Sequence, residues 1–263
     1  AAQEVEASSN ADALAGISEV SESPHVPVRS MVVFLHNEDD EKEWYYSKAY
    51  WEDYFSMLAA NRWNTFNLVF SHQTSYMAPM YPFHVKVDKY PGVRVKDFTE
   101  EERIRNMEML KFITSLARDR GIDFTLSVWQ QIAWENSGEF HDTQENMVSG
   151  YNRENMTDYT YLAMKEILRE CPGITGLQLR LNYESRVDYD SQTAFFRDAV
   201  FRAAKESGRE ILIEVRDIGL LSETLDAALA TGFRTRVSHK YWAEDLVFPY
   251  HPTKFVWTYS YGD

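Results

Sequence analysis

Short apolar segments alternate along the chain with segments of helical period, and this alternation constrains the fold more than any other feature. Strand followed by helix is the repeating unit of a parallel sheet, and about seven such units favour a closed barrel over an open doubly wound sheet. The predicted strands are Met31–His36, Thr65–Phe70, Asp123–Trp129, Ile174–Glu184, Glu210–Val215, Arg234–His239 and Lys254–Thr258. The predicted fold class is therefore α/β, a parallel (β/α)8 barrel of the TIM type.

An eighth strand and its helix are missing from this series. We therefore expect an incomplete barrel over residues 31–263, truncated at its C-terminal end. Residues 1–30 are acidic, contain Pro24 and Pro27, and are predicted to be a connector from a preceding domain. The chain starts without methionine, which we interpret as the mark of a mature or excised fragment.

The predicted loops differ in length at the two ends of the strands. Helix-to-strand connections are tight, as at Gly121, which ends a helix whose Thr99 and Glu102 form a predicted capping box. Two strand-to-helix connections, residues 71–98 and 130–156, far exceed the usual two to six residues. Long loops on the carboxyl ends of barrel strands are typical of an active site.

Composition excludes several functions. A formal charge of −14 argues against nucleic acid and anionic membranes as partners, because both require a basic surface. The single cysteine, Cys171, excludes an internal disulfide and a cysteine-rich metal site. No signal or transmembrane segment is evident, so localisation stays open, with the periplasm or the exterior as options.

The stretch Ile174–Glu184 carries the first candidate for chemistry. Its leucines alternate with Gln178, Arg180, Asn182 and Glu184, so a strand here has one apolar and one polar face. Glu184 stands at the carboxyl end of the polar face, where partial burial would keep a proton available, and is the predicted general acid. The alternative is a loop residue in a salt bridge.

A second carboxylate follows on the next strand. Glu214 and Arg216 share one face there, and Asp217 follows at the strand end. Two carboxyl groups flanking a bond are the usual equipment for glycoside hydrolysis, with Asp217 or Glu214 as base or nucleophile. An internal ion pair of Glu214 with Arg180 or Arg216 remains open.

Cationic and aromatic side chains also gather at the predicted strand ends. Lys240, Arg180 and Arg216 are candidates to bind a carboxylate or sulfate on a sugar, unless they only balance interior carboxylates. The remaining predicted substrate-binding residues are Asn182, His239, Tyr241, Trp242, Trp129, His36 and His72. The three histidines in this set each stand at the end of a predicted strand. No metal-binding motif accompanies them, and we predict neither a metal nor a cofactor.

Several segments resemble α-glucuronidase-type glycoside hydrolases. Residues 11–36 are similar to the junction before the barrel of that family, and GLQLRLNYES resembles its fourth strand, which places the general acid on Glu184. ILIEVRD and TRVSHKYW resemble the fifth and sixth strands. Lys240 stands where the family has a carboxylate. The resemblance to hexosaminidases that use an acetamido group is weaker, with Tyr183 replacing their aspartate.

The sequence therefore predicts a glycoside hydrolase, α-glucuronidase-like, that cleaves an acidic polysaccharide or oligosaccharide by two-carboxylate acid/base catalysis. Its partner is a carbohydrate substrate, and the oligomeric state is open. A non-catalytic carbohydrate-binding barrel is the first alternative. A metal-dependent barrel hydrolase, with His36, His72 or His239 as ligand, is the second.

Overall fold

A six-stranded parallel sheet forms the centre of the fold. The computed structural model describes residues 21–35, 38–70, 81–95, 98–129, 148–181, 189–217 and 219–239. The sheet runs in the order β1-β2-β4-β6-β7-β8, and all neighbouring strands are parallel. Its strands are β1 (Ser30–Leu35), β2 (Thr65–Phe70), β4 (Asp123–Trp129), β6 (Ile174–Arg180), β7 (Leu212–Arg216) and β8 (Thr235–Ser238).

Helices follow these strands, which confirms the predicted α/β fold of the barrel type. They are α1 (Glu38–Tyr45), α2 (Lys48–Ala60), α3 (Glu100–Asp119), α4 (Met156–Glu170), α5 (Tyr189–Phe195), a π-helical segment (Phe196–Phe201), α6 (Arg202–Glu206) and α7 (Ser222–Leu229). None of the helices in the described part of the chain combines the length and the apolar character needed to cross a membrane.

Six of the seven predicted strands are present, and within the described residues their ends differ from the predicted ones by at most two residues. The strand predicted over Ile174–Glu184 is hydrogen-bonded as a strand to Arg180. The candidate strand Lys254–Thr258 lies outside the described residues. Helix α1 was not predicted, because its run of acidic residues conceals the helical period and, of its side chains that the structure describes (residues 41–45), only Tyr45 is fully buried.

The helix-facing side of the sheet is the hydrophobic core. Alternate residues of the four central strands β2, β4, β6 and β7 point to this side and are completely buried: Phe66, Leu68, Phe124, Leu126, Val128, Leu177, Leu179, Ile213 and Val215. Cys171 is also buried there, as expected for a structural thiol, and burial raises its pKa to about 12. Much of the core thus lies between the sheet and the helices, and the other face carries polar groups together with Phe34, Val69 and Trp129.

The two long loops are tied to each other at their bases. A short antiparallel ribbon joins β3 (Arg94–Val95) to β5 (Val148–Ser149), and Gly150 beside it has a φ of 72°. A side chain at Gly150 would place its Cβ 2.4 Å from the carbonyl oxygen of Gly92, so only glycine fits. This ribbon was not predicted, because two-residue strands carry no periodicity.

The predicted ends of helix α3 and part of the predicted connector are seen in the structure. Thr99 and Glu102 form the predicted capping box of α3, and Gly121 follows that helix with a φ of 66°. At the amino edge of the sheet, the backbone N–H of Arg29 donates to Asn64 Oδ1 at 2.8 Å. The described part of the connector is thus attached to the sheet, while the domain boundaries stay a prediction.

Candidate active site

Polar side chains form two rows across the interior face of the sheet, the face opposite the helices. The central row contains Phe34, Val69, Ser127, Gln178, Glu214 and Arg236, which are aligned by strand register. The carboxyl-edge row lies two residues further along and contains Trp129, Arg180, Arg216 and Ser238. The predicted polar face of Ile174–Glu184 is therefore an interior face in its described part.

Hydrogen bonds connect the central row from strand to strand. Ser127 Oγ lies 2.9 Å from Gln178 Oε1, and Gln178 Nε2 donates to Glu214 Oε1 at 2.5 Å. Arg236 Nη1 lies 3.4 Å from Glu214 Oε2. Glu214 is 8% exposed and forms an internal ion pair with Arg236, whereas the alternative left open by the sequence named Arg180 or Arg216 as the partner.

Arg180 occupies the middle of the carboxyl-edge row. Its guanidinium carbon lies 5.0 Å from the ring centroid of Trp129 and 5.2 Å from that of Phe34, and its Nη1 donates to Gln178 Oε1 at 3.2 Å. The Trp129 indole N–H donates to the Phe70 carbonyl oxygen at 2.7 Å, which fixes the ring. Two aromatic rings and one amide oxygen therefore orient this buried cation.

Asp217 and His239 meet at the carboxyl ends of β7 and β8. Asp217 Oδ2 pairs with His239 Nδ1, and the side chain of Asp217 is 2% exposed while that of His239 is 56% exposed. Arg216 and Ser238, one residue earlier on each strand, share the interior row. Asp217 therefore couples two strand ends, and its buried carboxylate presents an exposed imidazole to solvent.

Many of the predicted site residues lie outside the described residues. These are Glu184, Asn182, Lys240, Tyr241, Trp242, His36 and His72. Within the described residues no group of three or more His, Cys, Asp or Glu side chains is placed to hold a metal ion. The assignments of Glu184 as acid and of Asp217 or Glu214 as its partner stay predictions.

The interior rows are cationic although the chain is acidic. In the described strands, the two rows contain three guanidinium groups, Arg180, Arg216 and Arg236, and one carboxylate, Glu214. The whole chain carries a formal charge of −14. Among the described residues, positive charge is thus concentrated on the interior face of the sheet.

Sequence reasoning missed Phe34, Gln178, Ser127 and Arg236 as parts of this site. Each occupies a position of the same period-two pattern that identified Arg180 and Glu214. Aligning the predicted strands side by side as a parallel sheet would have placed them in one row. The missing step was the register between strands, which no single strand contains.

A cavity of about 420 Å³ opens at the opposite, amino end of the strands. Its lining includes Thr65, Asp123, Glu210 and Arg234, at or next to strand starts. In barrels of this type, that end serves stability and chemistry takes place at the carboxyl end. The candidate site is therefore the carboxyl-edge row.

Comparison with known proteins gives a fold and no family. No protein family model matches the chain, and no curated protein matches it. Among solved structures, a GH138 enzyme targeting the pectin rhamnogalacturonan II is similar over 84% of this chain and 27% of its own, at 22% identity and a TM-score of 0.63. This likeness shows the fold, and the chain spans about a quarter of that enzyme's length.

Two further solved structures are similar at lower scores. Dispersin B matches over 84% of this chain and 66% of its own, at 10% identity and a TM-score of 0.49. A GH20 exo-β-N-acetylglucosaminidase from Vibrio harveyi matches over 82% and 42%, at 15% identity and a TM-score of 0.46. These neighbours and the GH138 enzyme are glycoside hydrolases, and the similarity is not specific to α-glucuronidases.

Proposed function

We propose that this chain is the barrel region of a glycoside hydrolase that acts on an acidic glycan. Three guanidinium groups in the described part of the interior rows, Arg180, Arg216 and Arg236, carry the proposal. A guanidinium presents paired N–H donors that match a carboxylate or sulfate on a sugar, and Arg180 and Arg216 lie at the carboxyl edge of the sheet, where barrels of this type bind substrate. The barrel fold, shared with a glycoside hydrolase, is consistent with this chemistry but does not establish it.

In the proposed mechanism, Glu184 protonates the leaving glycosidic oxygen. A second carboxylate, Asp217 or Glu214, acts as base or nucleophile. Arg180, Arg216 and Lys240 bind the anionic group, and Asn182, His239, Tyr241, Trp242, His36 and His72 contribute further contacts. Trp129 is 2% exposed, so its contribution to substrate binding would act through Arg180 rather than through direct stacking.

For the substrate class we propose a uronic acid-containing oligosaccharide. The GH138 enzyme with a similar fold targets the pectin rhamnogalacturonan II, whose name denotes a polymer that contains galacturonate. An α-glucuronidase-like specificity, suggested by the sequence resemblance, belongs to the same chemical class. Both require a site that prefers a sugar carboxylate over the neutral hydroxymethyl group.

The test is hydrolysis of pectic and glucuronic acid-containing oligosaccharides by the wild-type protein and by Glu184→Gln. We expect turnover to fall at least about 10²-fold with binding retained, because the amide cannot donate the proton but keeps the shape of the acid. Glu206→Gln is the matched control, since Glu206 lies on helix α6, away from the strand ends. Unchanged hydrolysis by Glu184→Gln would end the assignment.

A non-catalytic carbohydrate-binding barrel is the rival function. Two observations favour it: Lys240 stands where the resembling family has a carboxylate, and the described carboxylates are both engaged by neighbouring side chains, Glu214 by Arg236 and Asp217 by His239. Binding of the same oligosaccharides, without release of any product after long incubation, would support this rival and exclude the hydrolase.

A further inference from the structure

Gln178 is the point where the hydrogen bonds of the interior rows converge. It is 6% exposed, and it contacts Ser127 at 2.9 Å, Glu214 at 2.5 Å and Arg180 at 3.2 Å. It lies in the middle of β6, one alternation before Arg180. No role follows for it from the proposed chemistry, because an amide neither transfers a proton nor acts as a nucleophile.

The partners of Gln178 determine the orientation of its amide. An ionised carboxylate only accepts hydrogen bonds, so the Nε2 group must face Glu214. A guanidinium only donates, so the Oε1 atom must face Arg180. The reversed amide would place two acceptors together and two donors together. The amide of Gln178 therefore donates to the Glu214 carboxylate on β7 and accepts from the Arg180 guanidinium on its own strand.

Both oxygens of the Glu214 carboxylate are engaged in this arrangement. Its Oε1 accepts from Gln178 and its Oε2 lies 3.4 Å from Arg236, so both carboxylate oxygens have partners within the sheet. A carboxylate held on both sides is well placed to orient neighbours and poorly placed to attack a substrate. This favours Asp217 over Glu214 as the partner of the acid.

We propose that Gln178 is a positioning residue that sets the preference of the site for acidic over neutral sugars, an inference that rests on the proposed function. Glu214 fixes the amide, the amide oxygen holds Nη1 of Arg180, and the rings of Phe34 and Trp129 hold the guanidinium plane. The bond from Nη1 of Arg180 to Gln178 restrains the guanidinium, so that a substrate carboxylate would meet donors of fixed direction.

The first measurement compares the binding of D-galacturonate and D-glucuronate with that of D-galactose and D-glucose. In Gln178→Leu, we expect the preference for the acidic sugar to fall at least about tenfold with the neutral sugar bound as before, because a mispositioned guanidinium loses the paired contact. Thr125→Val is the matched control. Thr125 is buried on the same sheet but lies outside the relay, by which we mean the hydrogen-bonded series Glu214–Gln178–Arg180, and its variant should keep the wild-type preference.

An exchange of the two polar groups separates positioning from simple packing. In the double variant Gln178→Glu with Glu214→Gln, position 178 still offers an oxygen to Arg180 and position 214 offers a donor and an acceptor. We expect most of the lost preference to return relative to Gln178→Leu. Equal loss in the exchange variant and in Gln178→Leu would overturn the relay, because the hydrogen-bond pattern would then be irrelevant.

A ligand-free readout keeps this inference separate from the proposed function. The side-chain Nε–H signal of Arg180 in an ¹⁵N spectrum should move or broaden in Gln178→Leu and stay in place in Thr125→Val. If the wild-type protein binds acidic and neutral sugars equally, the proposed acidic substrate class is wrong. The Arg180 signal alone then shows whether Gln178 positions Arg180. An unchanged signal in Gln178→Leu overturns it.

Discussion

The two faces of the parallel sheet follow opposite rules. On the helix-facing side, residues such as Leu177, Leu179 and Val215 are fully buried and purely apolar. On the interior side, Gln178, Arg180 and Glu214 are almost as buried, yet they are polar or charged and joined by hydrogen bonds. The same two strands, β6 and β7, supply both sets, one residue apart.

This difference separates stability from function. Apolar groups on the helix side contribute through removal of surface from water, which needs shape but no specific partner. Buried polar groups contribute only if each one is satisfied, so they specify one arrangement at little net gain in stability. A row of such groups at the carboxyl edge is thus evidence for a role other than folding.

The largest effect is expected on the helix-facing side. Leu179→Ala should lower the free energy of unfolding by about 2–5 kcal/mol, because it removes buried methyl groups and leaves a cavity. Denaturant titration followed by circular dichroism measures this loss. Leu229→Ala is the control, since that leucine on α7 is 56% exposed and its loss should cost at most about 0.5 kcal/mol. Equal costs would contradict the assignment of the core.

A smaller effect is expected on the interior face. Glu214→Leu should lower the free energy of unfolding by about 1–3 kcal/mol, because Gln178 Nε2 loses its acceptor in a buried place. Adding Gln178→Leu removes the orphaned donor as well and should recover part of the loss. The double-mutant cycle thus reports a coupling between the two residues, and simple addition of the two single effects would show that the bond contributes nothing.

The smallest effect is expected on the outer helices. Hydrogen bonds from Tyr161, at 2.6 Å, and Lys165, at 2.9 Å, lower the pKa of Glu206 from 4.5 to about 2. Because the folded state favours the ionised form, the stabilisation is complete above pH 4.5 and is lost as the pH falls toward 2. The difference in melting temperature between wild type and Glu206→Gln should be small at pH 7 and vanish over that range. A difference independent of pH would contradict this assignment.

Much of the fold could be predicted because its signals are local. The period of two in Ile174–Arg180 separates Leu177 and Leu179 from Gln178 and Arg180, and the structure confirms that separation. The capping box at Thr99 and the glycine at position 121 likewise depend on neighbours in sequence. Helix α1 was missed because its acidic residues interrupt the apolar period, and the β3–β5 ribbon because two residues form no pattern.

The candidate site was predicted less completely. The sequence selected Arg180, Arg216, Glu214 and Asp217 from strand ends, and the structure brings the first three onto one face. It could not indicate that Glu214 pairs with Arg236 or that Asp217 pairs with His239, because each contact joins neighbouring strands and depends on their register. Glu184, the predicted acid, lies outside the described residues and awaits its test by substitution.

The sequence by itself determined which residues face which side of each strand and at which end the long loops stand, because alternation and loop length are properties of consecutive residues. Only the tertiary structure decided which polar groups meet. Hydrogen bonds between strands need distances of about 3 Å, and those distances follow from strand order and register. That step turned Gln178 from one polar residue among several into the link between Glu214 and Arg180.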